Sequence, residues 1–241
     1  MKLAILILAC LASLGPPSIA AQSEPPGSLQ WSGGAILATD GIFHGQSLTA
    51  DKPSISGEIK ANLYSGAYAG IWAANIDLGP KTDTHAEIDY FIGRARKFGK
   101  LYINTGYLYR QRPSSTLSLN YQDVTVLVSY DFGIARLGAG TYYSWDYFQG
   151  GRSIYRYANL RVPIAKPHGV QLSAIATAGH NDFSNRTIGN YSNIYLRLVA
   201  QHGSWEYSVG YSDTNIDPLR SGLLTRNESG PRWQAEVLVG F

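Results

Sequence analysis

Residues 232–241 read RWQAEVLVGF, and two kinds of side chain alternate along them. Trp233, Ala235, Val237 and Phe241 belong to an apolar set, whereas the residues between them are mostly polar or small. Successive side chains of a β-strand point to opposite faces of a sheet. The segment is therefore predicted to be a strand with one apolar face and one mostly polar face.

The same two-residue alternation recurs upstream in this chain of 241 residues. It is clear in residues 54–63, 86–92, 101–110, 123–130, 170–178, 193–198 and 205–212. Weaker segments, whose inward and outward faces we leave open, lie near residues 31–42, 67–76, 135–146 and 154–163. The total is about twelve strands of about ten residues, which suits an all-β antiparallel barrel that crosses a membrane.

Short and long connections alternate between these predicted strands. The short ones contain Ser65-Gly66, residues 96–99, Phe132-Gly133, residues 164–169 and His202-Gly203. Outer-membrane barrels have short periplasmic turns and longer extracellular loops. We therefore predict a transmembrane up-and-down barrel with both chain ends on the periplasmic side.

Alternation alone does not say which face points outward, but the composition favours an apolar exterior. Charged residues make up 15% of the chain, well below the roughly 25% of soluble domains. Aromatic residues near predicted strand ends resemble the girdles of barrels in lipid: Trp31, Trp72, Tyr90, Tyr107, Tyr109, Tyr130, Trp145, Trp205 and Trp233. We expect the apolar face to contact lipid and the polar face to line the interior.

The N-terminus has the pattern of a secretory signal. Lys2 precedes the apolar stretch Leu3–Leu14, and small residues end at Ala20, as at a signal-peptidase site. We predict a signal peptide over residues 1–20, and the alternative is a lipoprotein cleaved at Cys10. Cleavage after Ala20 leaves an exported chain without cysteine, so a disulfide scaffold is excluded.

Beyond the cleavage site we expect a periplasmic leader, residues 21–30, and one barrel domain, residues 31–241. Cleavage after Ala20 removes Lys2 and no other charged residue, so the net charge falls from +3 to +2. This small excess does not indicate a nucleic-acid partner. No motif predicts a cofactor or a metal site.

Charged residues on the polar strand faces are the candidate lining of a channel. They are Glu58, Lys60, Glu87, Asp89, Arg110, Asp123, Arg136, Arg197, Glu206 and Glu236. Rings of such side chains set the ion preference of channels. The alternative is that they pair as salt bridges and close a narrow interior, and both interpretations stay open.

One stretch carries a family resemblance. Residues 38–45, ATDGIFHG, followed by Pro53, resemble the opening of the TorF family of bacterial porins, although His44 stands where that family usually has arginine. Residues 66–77 and 87–90 extend the resemblance. It implies an outer-membrane barrel that passes small solutes, with little information on which solute.

We therefore predict a passive channel of the bacterial outer membrane for small hydrophilic solutes or ions, and not an enzyme. Outer-membrane lipid and lipopolysaccharide would surround it, and the terminal Phe241 resembles the signal that barrel-assembly machinery recognises. One alternative is a hydrolase of lipid or peptide that uses His180 with Asp182 and Ser184. The other is a closed structural or adhesive barrel whose loops bind. The oligomeric state is left open.

Overall fold

The computed structural model describes residues 29–79, 82–113, 115–184, 189–216 and 230–241. The strands in these ranges are β1 (Leu29–Ala38), β2 (Ile42–Phe43), β3 (Gln46–Ser47), β4 (Ser54–Leu63), β5 (Ala67–Asn75), β6 (Ala86–Phe98), β7 (Leu101–Gln111), β8 (Tyr121–Asp131), β9 (Arg136–Ser144), β10 (Ser153–Ala165), β11 (Gln171–Phe183), β12 (Tyr191–His202), β13 (Trp205–Thr214) and β14 (Arg232–Gly240). Two short 3₁₀ turns cover Tyr147–Gln149 and Pro167–Gly169. No helix in the described part of the chain is long and apolar enough to span a membrane.

Twelve of these strands, β1 and β4 to β14, form one closed antiparallel barrel. Each strand pairs with its neighbours in chain order, and β1 closes the ring by pairing with both β4 and β14. The predicted fold class is thus confirmed. We call the end with the short turns and both ends of the described chain periplasmic, and the end with the long connections extracellular.

The seam between β1 and β14 is closed by the last residue of the chain. The Gly33 amide donates to the Phe241 carbonyl at 3.1 Å, and the Phe241 amide donates to the Gly33 carbonyl at 3.0 Å. A Cβ on residue 33 would lie 2.6 Å from the tip of the Phe241 ring. Glycine at position 33 therefore lets the terminal ring lie flat over the seam.

The outward face of the barrel is apolar. Leu37 is 59% exposed and Ile55 is 63% exposed, whereas the alternate residue Ser56 is buried. Outward aliphatic residues continue around the ring, for example Leu196 and Leu198. A closed sheet with all strand edges paired and an apolar exterior is what hydrocarbon requires of a spanning β-structure, and bacterial outer membranes hold such barrels.

One member of the predicted aromatic girdle lies inside instead. Trp72 is only 8% exposed and packs against Phe91 and Leu108 in an interior cluster. Because Ile71 and Trp72 are both apolar, alternation in β5 did not say which one points outward, and Ile71 does. The other eight aromatic residues of that set lie on the outer surface.

The beginning of the barrel also differs from the prediction. β1 starts at Leu29, inside the predicted leader, and ends at Ala38 rather than near residue 42. Residue 42 is expected to end the first strand and residues 43–47 to begin a long connection. Instead residues 42–47 form the buried hairpin β2–β3, because their side chains find partners inside the barrel. The predicted signal peptide lies outside the described residues.

Candidate functional site

All ten charged residues predicted to line the interior lie at inward-facing strand positions. In chain order they are Glu58, Lys60, Glu87, Asp89, Arg110, Asp123, Arg136, Arg197, Glu206 and Glu236. They separate into a group near the extracellular ends of β6, β7 and β8 and a second group nearer the middle and periplasmic end. We call the space they enclose the lumen.

The extracellular group is centred on Arg110. Its Nη1 lies 2.5 Å from Asp89 Oδ2 and 3.4 Å from Glu87 Oε1, and its Nε donates to Asp123 Oδ2 at 2.9 Å. Arg112, which directly follows β7, forms a second ion pair with Glu87. These five residues are the Arg110 cluster.

Aromatic rings cover the Arg110 cluster. Phe43 lies 4.7 Å from Arg110 Cζ, Phe148 lies 4.8 Å from Arg112 Cζ, and Tyr121 contacts both guanidinium groups. The Arg110 side chain is only 2% exposed. Buried charges are costly unless they are paired and hydrogen-bonded. The three carboxylates and two guanidinium groups therefore compensate each other and brace this part of the wall.

The ring of Phe43 comes from the β2–β3 hairpin, residues 41–47, which we call the inner hairpin. His44 and Gly45 form its turn, with φ of 51° and 82°. Positive φ at both central residues is the signature of the tight turn that joins two antiparallel strands. Every residue of the inner hairpin is buried, so it folds into the lumen rather than into solvent.

The tip of the inner hairpin reaches the opposite wall. The His44 ring stacks on Tyr155 at 3.5 Å between centroids and meets the edge of Tyr142 at 5.1 Å. A Cβ on Gly45 would lie 2.4 Å from Asn193 Cβ. The hairpin thus contacts β9, β10 and β12 as well as the Arg110 cluster, and it crosses the extracellular half of the lumen.

Burial controls the charge of His44. It lowers the pKa of this imidazole well below its ordinary value of 6.5, and the nearby Arg110 charge lowers it further. Within the described residues, Nε2 of His44 has no hydrogen-bond partner. Since the charged form would be desolvated and repelled, His44 is neutral in the folded protein.

The base of the inner hairpin is fastened to β14. Asp40 Oδ1 accepts hydrogen bonds from Ser47 Oγ at 2.5 Å and Thr49 Oγ1 at 2.8 Å, and Oδ2 lies 3.2 Å from Arg232 Nη1. Gln234 Nε2 donates to the Asp40 carbonyl. One carboxylate therefore holds both ends of the hairpin against the wall.

The second charged group, nearer the periplasmic end, is more open. Arg197 Nη2 lies 3.1 Å from Glu206 and 3.1 Å from Glu236, and Arg136 Nη2 lies 3.4 Å from Asp131. The Arg136 side chain is 29% exposed and that of Glu206 is 15% exposed. Arg197 itself is almost fully buried, but Arg136 and Glu206 keep part of their surface accessible to water in this half of the lumen.

Glu58 and Lys60 form a separate pair on β4. Their closest atoms are 3.7 Å apart, and both side chains are almost fully buried. Lys60 Nζ also lies 5.5 Å from the centre of the Tyr68 ring. This pair belongs to the wall rather than to the open part of the lumen.

Further interior charges in the described part of the chain were not among the sequence candidates, among them Asp40, Arg112, Arg161 and Arg232. The sequence could have identified Arg161, because it lies between the apolar residues Leu160 and Val162, which both face outward, and alternation then predicts an inward arginine. Asp40 and Arg112 lie just beyond strand ends, where alternation does not apply.

The residues considered for catalysis lie on the outer surface. His180 Nδ1 is 2.8 Å from Ser192 Oγ, and His180 Nε2 is 3.3 Å from Asp182 Oδ1. The expected serine, Ser184, instead accepts a hydrogen bond from the Arg152 amide. β11 ends at Phe183, so Ser184 has left the face that carries His180. In the ranges described, no three His, Cys, Asp or Glu residues are grouped to hold a metal.

Solved porin structures share the fold over nearly the whole chain. A KdgM porin matches with a TM-score of 0.59 and 9% identity, covering 87% of this chain and 99% of the other. A NanC porin matches with a TM-score of 0.52 and 11% identity, covering 88% and 99%. Among proteins with curated functions, none matches this sequence.

A family model fits most of the sequence. It is described as "Bacterial protein of unknown function (Gcw_chp)" and matches residues 22–235. The match spans the barrel from before β1 into β14. The chain therefore belongs to the Gcw_chp family.

Proposed function

We propose that this protein is a channel of the bacterial outer membrane for passive diffusion of small hydrophilic solutes or ions. The observation that carries the proposal is the periplasmic half of the lumen, where charged side chains stay in contact with water inside a barrel with an apolar exterior. Twelve strands lie between the filled eight-stranded barrels and the open sixteen-stranded porins. The proposed activity needs no catalytic group and no cofactor.

The inner hairpin is the narrow part of this channel. It occupies the extracellular half of the lumen, where its base is fastened to β14, Phe43 packs on Arg110 and its tip stacks on Tyr155. In our proposal solutes pass beside the hairpin or after a small displacement of its tip. The ten predicted lining residues then divide into two sets. The bracing set consists of the Arg110 cluster without Arg112, the pair Glu58–Lys60 and the buried Arg197. The set that meets the solute consists of Arg136, Glu206 and Glu236.

Conductance measurements test the proposal directly. Purified protein is inserted into planar bilayers in KCl, and discrete current steps are expected. A variant with residues 42–47 replaced by Gly-Gly should give steps several times larger, since it lacks the obstructing side chains. If neither protein produces steps, although both show the heat-modifiable mobility of folded barrels, the channel is refuted in favour of a closed barrel with binding loops.

Assembly and surroundings are part of the same proposal. The resemblance to TorF porins at residues 38–45 supports it, because this stretch forms the inner hairpin and its base. The outward, seam-closing Phe241 suits recognition by barrel-assembly machinery, and Phe241→Ala is expected to lower the amount of folded protein in outer membranes. Lipopolysaccharide is the expected neighbour of the extracellular rim.

A second candidate function is ester hydrolysis at the outer surface, and the row Ser192–His180–Asp182 is the observation that favours it. A serine, a base and an orienting carboxylate recur in hydrolases. The Ser192 amide, however, donates to Asn215 Oδ1, so it is not free to stabilise an oxyanion at Ser192. Release of fatty acid from phospholipid vesicles that stops in Ser192→Ala would establish this activity, and equal release from both proteins would exclude it.

A further inference from the structure

Three arginines lie in one row of the barrel wall, in the periplasmic half of the lumen. Arg136 of β9 is directly opposite Arg161 of β10. Arg161 is opposite Ile175 of β11, and Ile175 is opposite Arg197 of β12. All three arginines occupy inward-facing positions. We call them the arginine row.

Arg136 and Arg161 are close enough to act on one solute group. Neighbouring strands are about 4.8 Å apart, and like charges directly opposite each other are destabilising. Among the described residues, no carboxylate lies within salt-bridge distance of Arg161. The partner of Arg136, Asp131, sits at the end of β8 with its side chain 42% exposed.

Positive charge is concentrated at this end of the row. Arg197 is held by Glu206 and Glu236, which belong to β13 and β14 on its other side. Arg161 is within electrostatic range of Arg136 and Arg197 and of one carboxylate, Glu206. The nearby charges sum to zero, but Glu206 and Glu236 lie beside Arg197 and Asp131 lies beside Arg136. Arg161 is therefore the member of the row that has no carboxylate within salt-bridge distance among the described residues.

We propose that Arg136 and Arg161 form a subsite for the carboxylate group of a small organic anion passing through the channel. A planar guanidinium fork matches a carboxylate in a bidentate arrangement. A carboxylate between the two forks removes their mutual repulsion. The subsite rests on the proposed channel function and names the class of solute that the channel prefers.

Binding of malonate, a small dicarboxylate, tests the subsite without using conductance. Malonate is titrated calorimetrically into the folded barrel in a nonionic detergent. Arg161→Gln loses the charge-assisted hydrogen bonds to the carboxylate, so it is expected to weaken malonate binding roughly tenfold or more. Arg161→Lys, which keeps the charge but loses the fork, should fall between native and Arg161→Gln.

Arg94→Gln is the matched control. Arg94 faces outward near the periplasmic end of β6, so this variant loses the same charge outside the lumen and should bind malonate like the native protein. Equal affinity in native protein and Arg161→Gln, or no binding by the native barrel, overturns the subsite. Equally strong binding of glycine betaine overturns it as well, because the row would then select dipolar solutes.

Bilayer recordings separate this inference from the channel itself. In a KCl gradient, Arg161→Gln should shift the reversal potential towards cation selectivity, whereas Arg94→Gln should leave it unchanged. Steady conductance with the same reversal potential in Arg161→Gln refutes the subsite and leaves the channel standing. Malonate binding that depends on Arg161, without any conductance, refutes the channel and keeps the binding site.

Discussion

The two halves of the lumen hold the same kinds of charged residue but place them in different surroundings. In the extracellular half, the inner hairpin and Phe148 cover the Arg110 cluster, whose three carboxylates and two guanidinium groups are buried and in contact with each other. In the periplasmic half no such cover exists within the described residues, and Arg136 and Arg161 remain partly exposed. The comparison shows that burial, not residue type, decides whether a lumen charge braces the wall or is available to a solute.

Removing Arg110 should have the largest effect. In Arg110→Leu, Glu87, Asp89 and Asp123 stay buried with Arg112 as their only nearby cation. Removal of one partner from a buried ionic group costs about 3–5 kcal/mol, and we expect a loss of that size in the free energy of unfolding. Urea unfolding in detergent micelles, followed by tryptophan fluorescence, measures it.

A compensated variant keeps this prediction testable if Arg110→Leu does not fold. Arg110→Met combined with Asp89→Asn and Asp123→Asn removes the cation together with two of the charges it neutralises. This variant should recover much of the lost stability. A triple variant as unstable as Arg110→Leu would show that Arg110 acts through packing rather than through its charge.

Gly45→Ala should have the next largest effect, at the tip of the inner hairpin. The new Cβ would meet Asn193 Cβ at 2.4 Å, and the backbone has φ of 82°. Overpacking costs about 1–3 kcal/mol, so either stability falls by that amount or the tip moves away from β12. A displaced tip would be detected as a larger single-channel conductance.

Gly99→Ala is the control for the backbone contribution. Gly99 also has a positive φ, of 60°, but a Cβ there meets no atom within 4 Å among the described residues. The difference between the two variants therefore isolates the clash with Asn193. Equal losses of stability and unchanged conductance would mean that the hairpin tip does not press on the opposite wall.

The strand pattern could be predicted from the sequence because lipid imposes one apolar residue in every two. The inward and outward faces of β9 and β10 could not be assigned from the sequence for a specific reason. In these strands inward aromatic rings lie over inward glycines. A Cβ on Gly140 would meet the Tyr157 ring at 2.6 Å. Inward glycines beside inward tyrosines hid the alternation of these two strands, and Arg161 was missed although the outward residues Leu160 and Val162 on either side of it indicated an inward side chain.

The inner hairpin could not be predicted from local pattern at all. Its position depends on contacts between residues far apart in the chain, such as Asp40 with Arg232 and His44 with Tyr155. The sequence pattern indicates that residue 42 ends a strand and that residues 43–47 begin a glycine-containing connection. Which loop folds inward is decided by the shape and charge of the completed barrel.

Because of His44, the stability of the folded protein should depend on pH. The pKa of His44 is lowered in the folded protein and is about 6.5 when unfolded, so below pH 6.5 the unfolded chain binds a proton that the folded one does not. Stability should therefore be lost as pH falls below about 6.5, by up to about 1.4 kcal/mol per pH unit. Urea unfolding at pH 8 and pH 5 gives the difference.

His44→Phe should remove this part of the pH dependence while keeping a ring against Tyr155. His85→Asn, in the connection between β5 and β6, is the control that removes a histidine outside the lumen. An unchanged slope in His44→Phe would mean that the imidazole gains a proton without leaving its place between the rings. The covered half would then be more hydrated than its packing indicates.

The smallest effect is expected for Arg136→Gln, and it is the most direct challenge to the contrast between the halves. The Arg136–Asp131 pair is partly exposed at the periplasmic rim, and exposed pairs contribute about 0–1 kcal/mol. Urea unfolding should therefore give nearly the native stability in Arg136→Gln, against the large loss in Arg110→Leu. Malonate should stabilise the native barrel by binding only its folded form, and this gain should shrink in Arg136→Gln. A loss in the free energy of unfolding close to that of Arg110→Leu would place Arg136 among the bracing residues. Its charge would then be compensated within the wall and would not be available to bind a solute.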